Sequence, residues 1–166
     1  ATLLHQGRTL ARRNDDPIVL PSGQVEIDFD IETSFDDRVY LWGMWVDDPQ
    51  GLLPETTDPN TCYYVHFSSF SDQDDAAEIS LAREAISWLD HVVQRVPDCI
   101  IVHYSDYEIT HLRHFGTVAS DPHMAASVVR LLQSGCFTDL FQTVRRHFLG
   151  VHGIGLKAVA QEGAGF

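Results

Sequence analysis

Cations, cysteines and long apolar stretches are all scarce in this sequence, and each shortage excludes something. Eleven Lys and Arg residues stand against 24 Asp and Glu in 166 residues, a formal net charge of −13. Phosphate binding normally needs a basic surface, so this balance speaks against a general nucleic-acid-binding module. It does not speak against an enzyme whose bound divalent cations face the phosphate, because such a site must itself be acidic. The three cysteines, Cys62, Cys99 and Cys136, are odd in number, far apart and without CxxC spacing. They predict reduced thiols in a cytoplasmic protein, not a disulfide framework. No apolar run approaches the roughly 20 residues that cross a bilayer, so no membrane association is expected. Arg8, Arg12 and Arg13 lie near the start, but no apolar segment with a small-residue cleavage site follows them, so no signal peptide is expected. Repeats and low-complexity segments are also missing. What is there suits one domain with a sizeable core: 44% apolar and 21% charged residues. The first residue is Ala, and the last four are Gly-Ala-Gly-Phe with no closing element, which predicts an excerpt of a longer chain.

Residues 1–24 carry the breakers Asn14-Asp15-Asp16-Pro17 and Pro21-Ser22-Gly23, so they read as a linker or arm with at most a short strand around Ile18–Leu20. From Val25 to Glu32 the pattern alternates: Val25, Ile27, Phe29 and Ile31 against Glu26, Asp28, Asp30 and Glu32. Arg38–Val46 predicts a second strand and Thr61–Phe67 a third, joined by the Pro- and Asp-rich loop 47–60. Short connections make the three an antiparallel meander. Ile79, Ala82, Ile86, Leu89, Val93 and Val96 step by three and four, one buried stripe of a helix that Ser71 or Asp72 could cap and Pro97 ends. Cys99–His103 predicts a strand covered on both faces, parallel to its neighbour because a helix precedes it. Helical segments follow over about 106–115, 122–134 and 139–149, with a turn near 155–161. The expected class is α/β, a mixed sheet flanked by helices.

The feature that carries chemistry is the acid row on the first strand. Residues two apart on a strand lie roughly 6.5–7 Å apart and face the same way. Four carboxylates in that register repel one another and resist burial. A wet sheet edge could tolerate them, yet the apolar residues between them suit a central strand. Divalent cations relieve the repulsion, and carboxylate oxygens are what Mg²⁺ and Mn²⁺ prefer.

The stretch Asp30-Ile31-Glu32-Thr33 resembles the first motif, Asp-x-Glu, of the DEDD 3′–5′ exonucleases. Ile100–Tyr104, then Ser105-Asp106, then Tyr107-Glu108 with Leu112, resembles the second, with Glu108 where that family has Asp. Over residues 25–166 the chain is similar to the RNase H-like domain at the C-terminus of bacterial RecB-like nucleases. The segments that carry the likeness are VEIDFDIE, RVYLWGMWV, VHYSDYEITHLRHF, CFTDLFQTVRRHF and GIGLKAVAQ, in family order. This resemblance implies an RNase H-like sheet with its first three strands antiparallel and the next parallel. It also implies a two-metal hydrolysis of DNA or RNA from a 3′ end, expected to be single-stranded, with two Mg²⁺ or Mn²⁺ about 3.5–4 Å apart. Asp30 would bridge both metals, Glu32 would bind one, and Glu108 would hold a metal directly or through water. The family's last motif, a Tyr or His with an Asp on a C-terminal helix, has no counterpart here. The expectation is therefore three of four carboxylates, weak or absent activity in this chain, and an upstream nuclease domain as partner.

Other residues keep two readings each. Asp28 tunes the site or faces solvent. Asp139 is a remote substitute for the missing acid, but with Gln142 three residues on it reads as a helix capping box. Lys157 lies in a segment like a substrate-approaching one, though a surface lysine is the simpler reading. Tyr104 and Tyr107 could stack a base or belong to the core. Glu108 could be a first-turn helix acid and nothing more. His111 and His114 lack a third zinc ligand nearby. Arg145-Arg146 is too isolated for a nucleic-acid face. The alternative function is a non-catalytic RNase H-like module that docks nucleic acid or protein; a third is an endonuclease on the same fold.

Overall fold

The computed structural model describes residues 9–71 and 73–161. They form two compact units, one from Pro21 to Thr138 and the other from the flanking segments up to Leu20 and from Asp139 on. Along the chain run β1 (Leu10–Arg12), β2 (Val25–Thr33), β3 (Val39–Asp47), β4 (Tyr63–Ser68), α1 (Asp75–Arg95) and β5 (Cys99–His103). Then come α2 (Tyr107–Val118), α3 (Pro122–Gln133), β6 (Phe137–Asp139), α4 (Leu140–His147), β7 (Phe148–Gly150) and α5 (Leu156–Val159).

The period-2 pattern of β2 decides the larger unit. Val25, Ile27, Phe29 and Ile31 are buried while Glu26, Asp28, Asp30 and Glu32 are exposed. Apolar on one side and paired on both edges, the strand takes the centre of a five-stranded sheet ordered β4-β3-β2-β5-β6. β3 runs antiparallel to β2 and β4 antiparallel to β3, the expected meander. β5 is parallel to β2, as the intervening helix requires. The fold is thus α/β with a mixed five-stranded sheet flanked by helices.

Below the sheet, Ile27, Phe29, Trp42 and Met44 share one core with Ile86 and Leu89 of α1, Leu112 and Phe115 of α2, and Leu131 of α3. The stripe of α1 is buried as predicted except at Ile79, which is half-buried. Its cap is Asp74, whose side chain accepts from the Ala77 amide at 2.8 Å. This replaces the expected Ser71; Asp72 lies outside the described residues. α3 begins with Pro122 after the cap Asp121, and Gly135 takes φ +78° just past its end, where a left-handed residue is cheapest as glycine.

Three expectations fail locally. Ile18–Leu20 joins no strand, and Val19 is 79% exposed. The arm's strand is β1 instead, paired antiparallel with β7 in the smaller unit through Leu10↔Gly150. Leu10 is buried there, so the partner's burial outweighed the stronger β propensity of Ile18-Val19. β5 is not covered on both sides: Cys99, Ile101 and His103 are buried, Ile100 and Val102 only half. β6, in the gap between two expected helices, and β7, at the end of the expected helix 139–149, were not foreseen, because a three-residue strand leaves no periodicity. No helix among the described residues is long and apolar enough to cross a membrane.

Candidate functional site

The outward face of the central strands brings acids and aromatics together. In the β2–β3 register Asp28 lies opposite Trp45, Asp30 opposite Gly43 and Glu32 opposite Leu41. One strand further, Trp45 pairs with Tyr64 and Gly43 with His66. Side chains in such rows share a face, so Asp28, Asp30, Glu32, Trp45, Tyr64 and His66 all project from the side opposite the core. Gly43 is what lets Tyr64 reach the acids: a Cβ at position 43 would collide with the Tyr64 hydroxyl. The phenol thus lies across the backbone of Gly43, beside Asp30.

Their electrostatics agree with that placement. Partial burial pushes the Asp30 carboxyl above the usual carboxylate range, and the charge on Glu32 pushes it further, against a smaller opposing effect of the Ile31 amide. Partial burial raises Asp28 in the same direction. Tyr64 is raised by burial first and then by Asp30 and Glu32, so the phenol stays protonated at neutral pH. Among the described residues, no ion pair includes Asp28, Asp30 or Glu32.

Glu108 is delivered by a different device. After β5 the chain turns through Ser105 at φ +77°, a left-handed conformation that costs a non-glycine residue energy. The His103 ring holds the turn, its Nδ1 donating to the Ser105 carbonyl at 2.6 Å. The turn starts α2, and the Tyr107 hydroxyl hydrogen-bonds Thr33 Oγ1 at 2.7 Å. The first turn of α2 is thereby tied to the residue that follows Glu32. The Glu108 side chain itself is buried, with Oε2 3.8 Å from His103 Nδ1. His103 belongs to the buried parity of β5, so this carboxylate sits on the core side and the β2 acids on the other.

The structure therefore brings Asp30 and Glu32 together, with Asp28 one step along. Glu108 lies buried beside His103. Among the described residues no three His, Cys, Asp or Glu side chains converge as a metal set. Asp139 caps α4, accepting from the Phe141 amide and from Gln142 Nε2. Lys157 lies exposed on α5. The Tyr107 hydroxyl bonds Thr33 and its ring meets His111 edge to face, though the residue stays 39% exposed; Tyr104 is half-buried. His111 and His114 line an open groove of about 1090 Å³ with Asp37, Arg38, Glu78 and Tyr107, a groove that none of Asp30, Glu32 and Glu108 lines. Burial holds His111 below its usual value, partly offset by Asp37.

Sequence reasoning missed Trp45, Tyr64 and His66. The signal was present: Tyr64, His66 and Ser68 alternate with Val65 and Phe67, which marks one face polar and aromatic. Only the register set that face beside the acids. Comparison with protein-family models, with curated proteins and with solved structures found no match to this chain.

Proposed function

We propose that this chain is an RNase H-like domain that hydrolyses phosphodiester bonds of DNA or RNA with the help of divalent cations, working from the 3′ end, with Asp30 and Glu32 as its central carboxylates. One observation carries the reading. Two acids on the outward face of the central strand repel each other, and no cationic side chain among the described residues neutralises them. The sheet order, with β2 central, β3 antiparallel and β5 parallel, supports the same architecture.

The donor set of Asp30 and Glu32, with Asp28 adjacent, consists of oxygens alone, which fits Mg²⁺ or Mn²⁺. Glu108, buried beside His103, does not fit as a third ligand in this arrangement. A cation held there supplies Lewis-acid polarisation of a phosphate oxygen and a more acidic water. The chain's own residues do the rest. Asp30 and Glu32 bind and set the charge at which the phosphate is met. The Thr33–Tyr107 hydrogen bond keeps the first turn of α2 against the end of their strand. Tyr64, protonated at neutral pH, offers a hydroxyl donor beside them.

Mn²⁺ titration followed by thermal denaturation is the direct test. A cation that binds the native state alone stabilises it, by about 2.7 kcal/mol at one hundred times its dissociation constant. Asp30→Asn is expected to erase that gain and any Mn²⁺-dependent degradation of single-stranded DNA. End-labelled substrates report whether products come from the 3′ end.

The position of Glu108 favours a second reading, a non-catalytic module that docks nucleic acid or protein. A thermal stability indifferent to Mn²⁺ would select it.

A further inference from the structure

The aromatic residues beside the acids pair across strands, yet they leave wide ring surface open to solvent. Trp45, on the inner strand β3, is 50% exposed, and Tyr64, on the edge strand β4, is 48% exposed. Their ring centroids lie 6.4 Å apart, and the His66 ring stacks on Tyr64 at 5.5 Å and 25°. Three rings thus run side by side on the outward face. Trp45 stands in the row of Asp28, and the Tyr64 phenol reaches across Gly43 toward Asp30.

From this arrangement we infer that Trp45 and Tyr64 are the specificity-determining residues of the site: they stack an unpaired nucleobase so that its phosphate meets Asp30 and Glu32. The inference rests on the phosphodiesterase reading and adds the residues that would hold a nucleic-acid strand by its exposed bases. The chemistry is direct. Every base has a π-face, so aromatic stacking accepts any sequence but demands that the base be unpaired. A duplex hides those faces within its own stack. Tyr107, the stacking candidate nearest the sequence motif, is tied by its hydroxyl to Thr33 and lies less exposed than Trp45 and Tyr64.

Gly43 gives the inference a second handle. Alanine there pushes the far end of the Tyr64 side chain away without deleting the ring. The obstacle is the tip of a flexible side chain rather than backbone, so the sheet survives.

The test is fluorescence anisotropy with a fluorescein-labelled oligothymidylate of about 12 nucleotides, in Ca²⁺. The same strand annealed into a blunt duplex is the control, and Mn²⁺-dependent thermal stabilisation is read in parallel. Trp45→Ala and Tyr64→Ala should each weaken oligothymidylate binding about 5- to 100-fold while the Mn²⁺ response persists. Gly43→Ala should weaken it in the same direction by less. Tyr64→Phe, which keeps the ring, should bind within about twofold of the natural protein, and the duplex should bind at least about tenfold more weakly than the single strand. Several results overturn the inference while leaving the phosphodiesterase reading intact: alanine variants that bind as tightly as the natural chain, a Tyr64→Phe loss equal to that of Tyr64→Ala, or equal affinity for duplex. Absence of any oligothymidylate binding with a normal Mn²⁺ response overturns it too. Absence of the Mn²⁺ response in the natural chain sinks the underlying reading instead.

Discussion

Two groups of carboxylates in this chain are treated in opposite ways. Asp48 and Asp90 are almost fully buried, and each is surrounded by donors. Burial alone would raise Asp48, but Thr56 Oγ1 and the Leu52 and Leu53 amides donate to it and hold it below the usual carboxylate range. Asp90 is likewise penalised by burial, then brought below that range by Arg130 and Ser127. Asp28 and Asp30 are more exposed than either, and yet their carboxyls are raised. The difference is partners rather than depth. Where this fold uses an acid structurally it builds the cation or the amides to match. On the outward face of β2 it builds a second acid. An unbalanced charge kept in the middle of a sheet is the kind of feature that a bound cation explains and packing does not.

That contrast can be broken, most severely at Arg130. Removing it leaves Asp90 buried with its strongest donor gone. Arg130→Ala should give the largest drop in the urea midpoint of these variants, tempered because the guanidinium is half exposed. An unchanged midpoint would erase the distinction between the two groups.

Asp48→Ala comes next. It strands the Leu52 and Leu53 amides and the Thr56 hydroxyl, and about 1–2 kcal/mol should be lost by the same measurement.

Asp30→Asn should act with the opposite sign. Without divalent cation it removes repulsion from Glu32 and should stabilise the fold by roughly 0.5 kcal/mol, read as a small rise in melting temperature. Destabilisation on this substitution would place Asp30 with the structural acids.

The finest discrimination is by pH. A raised folded pKa means that the native state binds more protons than the unfolded chain between the two pKa values, so stability falls as pH rises through that window. The advantage of Asp30→Asn should therefore be full at neutral pH, shrink as pH falls through the raised value of Asp30, and vanish below the ordinary 3.8. Asp90 works in reverse: its stabilisation is present above 3.8 and is lost only as pH falls through its lowered value. The Arg130→Ala deficit should thus persist to more acidic conditions than the Asp30→Asn gain. Melting temperatures between about pH 3 and 7 separate the two. Coincident profiles would mean that both acids titrate alike.

Long, regular patterns were legible in advance. The alternation of Val25–Glu32 specified a central strand with one apolar face, and the stripe from Ala82 to Val96 specified the crossover helix. Burial follows directly from period when an element is long enough to repeat it. The pairing of Asp30 with Glu32 was legible for the same reason, since neighbours two apart on a strand share a face whatever surrounds them.

Everything that depends on contact between distant segments was decided by the tertiary structure. The pairing of β1 with β7, which took the arm's strand from Ile18–Leu20 to Leu10–Arg12, joins positions that carry no mutual signal. The resemblance named Glu108 as a third acid, and only the folded chain shows its side chain buried beside His103, after the turn at Ser105. Trp45 and Tyr64 reached the acids through the register of three strands and the missing side chain of Gly43. By itself the sequence determined which residues share a face, because that is set by backbone period alone. Which faces meet is set by packing across the whole sheet, and only the folded chain could decide it.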